Sequence, residues 1–263
     1  MFKNKITTMY INLEIHLSES CNLNCSACCH FAQIAEEEYL SPQEHEKNLS
    51  SIDNNVLNYF SVINLLGGEP LKNKDIIEIM RITRKYYTKD IKIITNGLLI
   101  RDMPEDFFEA CIENDIEIAF SKYPIRIDYD GLINEFRQKY KGLRIGYYNT
   151  ETTFYHHKFD IYRSQDYKHN FSICSITTWQ HYFQLVGTHL HICCYSAYIR
   201  HFNKRFGYNM KDDEYLDKKD VSSVRQIDEW AKTPKLFCGH CMINKVVKEP
   251  WRRYDGIENE YIL

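Results

Sequence analysis

Residues 11–30 read Ile-Asn-Leu-Glu-Ile-His-Leu-Ser-Glu-Ser-Cys-Asn-Leu-Asn-Cys-Ser-Ala-Cys-Cys-His. From Ile11 to Leu17 apolar and polar residues alternate, the period-two pattern of a half-buried strand. Three cysteines follow at once as Cys21-x3-Cys25-x2-Cys28, with Cys29 directly behind. Three thiolates at this spacing can hold three irons of a [4Fe–4S] cube and leave the fourth iron open. Zinc ordinarily takes two Cys or His pairs, four ligands in all. Here the local count is three unless Cys29 or His30 joins.

Outward from this loop, strand, loop and helix repeat about every 25–30 residues, the pattern of a parallel sheet or barrel. Ser41-Pro42 with Glu44 starts a helix expected to run to about Phe60. A short apolar strand over 62–66 ends in Gly67-Gly68-Glu69-Pro70. Helical spacing over 74–87 precedes a strand over 91–94 that runs into Thr95-Asn96-Gly97. A helix over 104–113 begins at Pro104, and a strand over 116–120 ends at Ser121-Lys122-Tyr123-Pro124. A helix over 130–140 and a strand over 143–148 complete the series. Beyond it, 151–172 has no clear period, 182–193 suggests a hairpin around Gly187-Thr188, and 222–233 suggests a short helix. The expected organisation is an α/β body over 1–150 and a smaller module over 151–263.

The chain has 263 residues, 33 Lys+Arg against 36 Asp+Glu, and a formal net charge of −3. That balance argues against a general phosphate-backbone binder, so nucleic acid is not an expected partner. His201, Lys204 and Arg205 read as a solvated basic patch. A hydrophobic fraction of 44% excludes global disorder. No run approaches the roughly 18 apolar residues of a membrane span, and Met1 to Thr8 lack the apolar core of a signal peptide. The expected location is therefore cytoplasmic, without a membrane partner. Thiols stay reduced there, so clustered cysteines point to metal or redox chemistry before disulfides. Cys111 stands alone in an apolar segment and reads as a core thiol.

Cys-x3-Cys-x2-Cys after the first strand and Gly-Gly-Glu-Pro after the second resemble the radical S-adenosylmethionine (SAM) enzymes, over residues 11 to about 148. The resemblance implies an α/β fold with a partial (β/α)6 barrel. It implies that Cys21, Cys25 and Cys28 ligate a [4Fe–4S] cluster whose open iron chelates SAM. Gly67, Gly68, Glu69 and Pro70 would receive the methionyl ammonium, and glycines next to a carboxylate suit a cation. Asn96 and Ser121, at the ends of the next two strands, would contact the methionyl or ribose groups. One departure is Ala27, where many members carry an aromatic residue beside the adenine; Phe31 lies close by. Cys29 reads as a bystander, and His30 as a loop or pocket residue.

The later cysteines, Cys174, Cys193-Cys194 and Cys238-x2-Cys241, resemble in order the "twitch" form of the SPASM domain, a hairpin-plus-helix module binding one auxiliary [4Fe–4S] cluster. Cys174, Cys193, Cys238 and Cys241 would be its ligands. Cys194 competes with Cys193, which is favoured because hairpin alternation sets it opposite Leu190 and Ile192. The same four thiols could instead bind structural zinc.

Two clusters imply a two-electron oxidation: a 5′-deoxyadenosyl radical abstracts hydrogen, and the auxiliary cluster accepts the remaining electron. The twitch-bearing dehydrogenases suggest a sugar- or cyclitol-like alcohol as small-molecule substrate, with a flavodoxin- or ferredoxin-type electron donor. Lys122, Tyr123, Tyr147 and Asn149, at strand ends, are the candidate catalytic residues. The alternative is a maturase that crosslinks or epimerises a ribosomal peptide. Such enzymes commonly carry an N-terminal peptide-binding domain, and twenty residues precede Cys21 here.

Overall fold

The computed structural model describes residues 11–180, 182–212, 214–256 and 260–262. Met1 to Thr8, read above for a signal peptide, lie outside them. The strand before the cysteines is β1 (Asn12–Ser18). Ser41 caps α1 (Pro42–Ser50) by accepting from the Glu44 backbone N–H, with Pro42 in the first turn. The helix expected to reach Phe60 is broken. Asp53 caps a separate short helix, α2 (Asn54–Leu57), by accepting from the Asn55 N–H. The Ser and Asn side chains of this stretch compete for backbone groups and interrupt the ladder; Ser51 Oγ donates to Asn48 O.

The βα series continues through β2 (Val62–Gly67), α3 (Ile76–Tyr86), β3 (Asp90–Thr95), α4 (Glu105–Glu113), β4 (Ile116–Lys122), α5 (Tyr129–Lys139) and β5 (Ile145–Thr150). The stretch expected to be irregular contains β6 (Thr153–His156) and leads into α6 (Tyr167–Ile173). The hairpin is β7 (Tyr182–Val186) and β8 (His189–His191), turning at Gly187 with φ +58°. Then come α7 (Cys194–Phe206), β9 (Leu216–Asp217), α8 (Val224–Ala231) and β10 (Val247–Pro250). β10 pairs antiparallel with β6.

The large sheet has the order β5-β4-β3-β2-β1-β7-β8-β9. β7 pairs with β1 in parallel, on the side away from β2, so β5 to β7 in that order make six parallel strands. The hairpin's first strand thus shares one sheet with the strand that carries the cysteine loop. Tyr148 on β5 lies within electrostatic reach of Tyr182 on β7, although these strands bound the parallel set, so the sheet curls towards an open barrel. The fold is mixed α/β with a mainly parallel sheet.

Alternate strand residues separate two environments. Leu13, Ile15, Ile63, Leu65, Ile93 and Ile118 pack with Leu49, Ile79, Phe108 and Phe136 of the helices in the main core. The inward face is polar: Glu14 lies in register with Asn64 and Gln184, Asn64 with Lys92, and Lys92 with Glu117. A second core, rich in aromatic residues, joins Phe31 of the cysteine loop to Tyr195, Tyr198 and Phe202 of α7 and to Tyr261. His201 of the expected basic patch is buried and bonded to Glu19 at 2.7 Å, so only the flanking cations face solvent. Among the described residues no helix is long and apolar enough to cross a membrane.

Candidate functional site

The cysteine loop leaves β1 at the carboxyl end of the sheet and is held from two sides. Gly68 N–H donates to Ser18 O at 2.7 Å and Glu69 N–H to Ser20 O at 3.1 Å. A Cβ at Gly67 would stand 2.2 Å from Ser18 O, and one at Gly68 2.2 Å from Ser20 O. Both glycines are therefore required by the approach of the loop's own backbone. From the other side the C-terminal segment forms a short ladder with the loop. Ser26 N–H donates to Arg252 O at 2.9 Å, Tyr254 N–H to Asn24 O at 2.9 Å, and Ala27 N–H to the Glu260 carboxylate.

Cys21, Cys25 and Cys28 all lie within electrostatic reach of the Tyr123 phenol. Their sulfurs face N–H donors. Leu23 N–H reaches Cys21 Sγ at 3.4 Å, Asn96 Nδ2 the same sulfur at 3.7 Å, and Trp251 Nε1 reaches Cys25 Sγ at 3.1 Å. Burial pushes Cys21 up to about 11 and Cys25 to about 12, so the free thiols are neutral. A metal that displaces those protons meets sulfurs already surrounded by donors, the setting an iron–sulfur cluster needs. Among the described residues no three Cys, His, Asp or Glu side chains converge as a single ion would require. A cube asks for something else, one thiolate per iron.

Glu69 is fully buried at the end of β2. Its carboxylate accepts from Leu71 N–H at 3.1 Å, Thr95 Oγ1 at 2.7 Å and Asn96 N–H at 3.0 Å. Burial outweighs these donors and raises Glu69 to about 7. Pro70, also buried, opens a 3₁₀ turn that fixes the Glu69 backbone. Asn96 follows β3, and its Nδ2 donates to Asn22 Oδ1 at 2.8 Å, so it braces the cysteine loop. Ser121 is buried near the end of β4.

A second group of thiols gathers from three segments. Cys174 caps the end of α6, Cys193 is the N-cap of α7, and Cys238 and Cys241 lie in and after the 3₁₀ turn Leu236–His240. Cys174, Cys238 and Cys241 are each within electrostatic reach of Cys193. Asn170 Nδ2 fixes the last pair by donating to Cys238 O at 2.9 Å and Cys241 O at 2.6 Å. Cys194 lies within electrostatic reach of Cys193 and Cys29. Cys29, read as a bystander, lies within electrostatic reach of Cys193 and Cys194 from the first loop.

The candidate catalytic residues divide. Tyr123 faces the thiols. Tyr147 is 40% exposed and donates to Asp130 of α5 at 2.8 Å, and Lys122 lies over its ring at 5.2 Å, so both belong to the outer surface. The strand-end placement did not specify on which side of β4 and β5 these two would fall. Asn149 Nδ2 donates to Glu151 at 2.5 Å, and its buried Oδ1 has no hydrogen-bond partner. Sequence reasoning missed Glu151, which lies within electrostatic reach of Cys29, and Trp251; neither belongs to a motif. Phe31 is fully buried in the aromatic core.

Residues 15–123 match the Radical SAM superfamily. A probable GTP 3′,8-cyclase of Pyrococcus abyssi is 34% identical over 102 residues, which is 39% of this chain and 32% of that protein. A GTP 3′,8-cyclase of Microcystis aeruginosa is 34% identical over 103 residues, covering 37% of this chain and 31% of its own length. The chain thus spans about a third of the length of the curated relatives it matches. Among solved structures, BtrN in complex with AdoMet and 2-DOIA is similar in fold, with a TM-score of 0.51 at 12% identity over 89% of this chain and 93% of that one. The family's cofactors are SAM and a [4Fe–4S] cluster, which the cysteine loop fits. Residues 15–123 thus match the radical SAM superfamily, on a chain whose fold is similar to that of BtrN.

Proposed function

We propose that the chain is a radical SAM dehydrogenase that oxidises a small sugar- or cyclitol-like alcohol by two electrons. The observation that carries this reading is the second thiol group, Cys174, Cys193, Cys238 and Cys241, gathered around Cys193 beside the radical SAM domain. Four thiolates complete the ligand set of a cluster, leaving no iron for SAM. When bound, SAM and the two clusters supply a 5′-deoxyadenosyl radical to abstract hydrogen and an acceptor for the remaining electron.

In this reading the protein's own groups position the reactants. Cys21, Cys25 and Cys28 hold the first cluster. Glu69 takes the methionyl ammonium, and Gly67, Gly68 and Pro70 shape the turn that presents it. Asn96 keeps the cysteine loop in register with that carboxylate, and Ser121 lines the nucleoside side. Residues 1–150 form the radical-generating body and 151–263 the auxiliary module. A flavodoxin- or ferredoxin-type protein delivers the electron.

The test is anaerobic reconstitution followed by reduction in the presence of SAM. The expected results are about eight irons per chain, two cubes of four, and release of 5′-deoxyadenosine. About four irons with one zinc would replace the auxiliary cluster by a structural site. Absence of 5′-deoxyadenosine would defeat the radical reading altogether. Deuterium transferred from a peptide, and not from an alcohol, would make the chain a maturase.

A further inference from the structure

The strand order changes direction at β1. Its loop leads through α1 to β2 on one side, while β7, on the other side, turns away into β8. In open α/β sheets, ligands enter the crevice at the carboxyl ends of two such strands. Here the pairing of β1 with β7 stops at Ile15 and Leu185. Residues 38–40 then run along the end of β1, with Leu40 N–H donating to Leu17 O at 3.1 Å and Glu19 N–H to Glu38 O at 3.0 Å. Between the parted strands, α1 and α7 lies a cavity of about 140 Å³. That is close to the roughly 150 Å³ that admits a benzene ring, about six heavy atoms. The residues given above to the clusters and to SAM are not among those that line it.

The polar groups of its wall are unequally engaged. Arg200 is held by Glu38 at 2.8 Å and Glu19 at 3.4 Å. Both ring nitrogens of His16 are taken, by Glu19 at 3.2 Å and His30 at 2.7 Å, and the Tyr198 hydroxyl donates to Gln184 at 3.3 Å. On the α1 side acceptors stand open. His45 lines the cavity and is fully buried. Thr83 Oγ1 gives its one hydrogen to Ile79 O at 2.7 Å, so it accepts from His45 Nε2 at 2.8 Å. The imidazole hydrogen therefore sits on Nε2. Burial keeps the ring neutral by lowering it to about 4, which leaves Nδ1 a bare acceptor without a hydrogen-bond partner. Orphans of this kind are rare in folded chains and call for a partner. The exposed Glu44 adds a carboxylate that has no ion pair among the described residues. With Glu19 and Glu38, the wall sets three carboxylates against the one guanidinium of Arg200, and His16, like His45, is held neutral by burial.

We propose that this cavity binds a small organic ammonium ion. Its alkyl part packs on Ile15, Leu40 and Leu185, and its N–H donors satisfy His45 Nδ1 and the Glu44 carboxylate. The site is separate from the Glu69 turn, and the inference stands whichever reaction the clusters drive.

The test uses the reconstituted protein saturated with SAM, which keeps the probe out of the Glu69 turn. The probe is pentylammonium, compared with its isosteres 1-pentanol and pentanoate by calorimetric titration and by melting temperature. Pentylammonium should bind at least about tenfold more tightly than either isostere. At about ten times its dissociation constant it should raise the melting temperature by about 2 °C or more. His45→Phe keeps a ring and removes the acceptor, and should weaken pentylammonium at least about tenfold. Glu44→Gln, at the exposed mouth, should weaken it about threefold and leave the probe-free melting temperature unchanged. Should His45→Phe melt too early to titrate, nitrogen-15 histidine resonances of the wild type read the same atom: the probe should shift the His45 Nδ1 signal and leave the Nε2 hydrogen in place. Absence of saturable binding by all three probes overturns the site, and equal binding of ammonium and alcohol overturns the ligand class. Binding that both variants leave unchanged, or a His45 Nδ1 signal that does not move, puts the ammonium elsewhere and overturns the proposal as well.

Discussion

Cys21, Cys25 and Cys28 come from one loop that β1 delivers, whereas Cys174, Cys193, Cys238 and Cys241 come from three segments that meet only in the folded chain. The first group takes all its thiols from its own loop, which the Gly67-Gly68 turn and the C-terminal segment hold from outside. The second depends on α6, on the start of α7 and on Asn170 bracing the final turn. A loop that carries all its ligands keeps their spacing when distant segments shift; an assembled set loses it when any contributing segment moves.

The sharpest test is to remove one thiol from each group. Cys25→Ala should abolish 5′-deoxyadenosine formation, a loss of at least about 10³-fold, because the radical source is gone. Cys241→Ala should retain SAM cleavage within several-fold while losing about four irons per chain. If both variants lose SAM cleavage equally, the two groups are one cooperative unit and the contrast fails.

Glu69 gives the next effect. Burial lifts it to about 7 from an ordinary 4.5, so the free enzyme carries it increasingly protonated below neutrality. An ammonium needs the carboxylate form. SAM affinity should therefore fall about tenfold for each unit of pH below 7, until the unliganded fold itself changes. Stability has the opposite sign. The folded state holds this proton more tightly than the unfolded chain, so Glu69 contributes stability that is full below 4.5 and lost as pH rises through 7. Titrating SAM binding calorimetrically at several pH values checks the first statement, and melting the SAM-free protein checks the second. Glu69→Gln should flatten both profiles and weaken SAM by about tenfold or more.

Trp251 ties the far end of the chain to the local site through the hydrogen bond from its Nε1 to Cys25 Sγ. Trp251→Phe keeps the ring and deletes the donor. The potential of the first cluster should become more negative, on the order of tens of millivolts, since hydrogen bonds to cluster sulfurs raise it. A redox titration followed by electron paramagnetic resonance reads this, and an unchanged potential would make the contact incidental. The smallest effect belongs to Cys111, buried in the main core with its sulfur 3.8 Å from Met80 Sδ. Cys111→Ala should cost about 1 kcal/mol in denaturant unfolding and leave the iron content unchanged.

The same contrast marks what could be read from residues alone. The first group was legible because its cysteines, the alternation of Ile11 to Leu17 and the Gly67 to Pro70 turn are each written in consecutive residues. The βα repeat was legible for the same reason, down to the ends of α3 and α4. What escaped is long-range. α7 opens on Cys193, an unusual N-cap, and carries several aromatic residues, so neither caps nor propensity signal it. The β6–β10 ribbon pairs segments with no shared local pattern. The helix after Pro42 was overextended because its apolar spacing continues past Ser51, while side chains capping the backbone end it. Lys122 and Tyr147 were singled out by position along their strands, yet strand alternation decides which wall a residue joins, and α5 claims both.

The pairing of β7 with β1 has a mechanical consequence. β1 ends three residues before Cys21, and β8, hairpin partner of β7, ends two residues before Cys193. One continuous hydrogen-bonded ribbon therefore connects the roots of both sulfur groups. Tunnelling rates fall steeply with separation, and strand pairing through β1, β7 and β8 is what sets the backbone distance between Cys21 and Cys193.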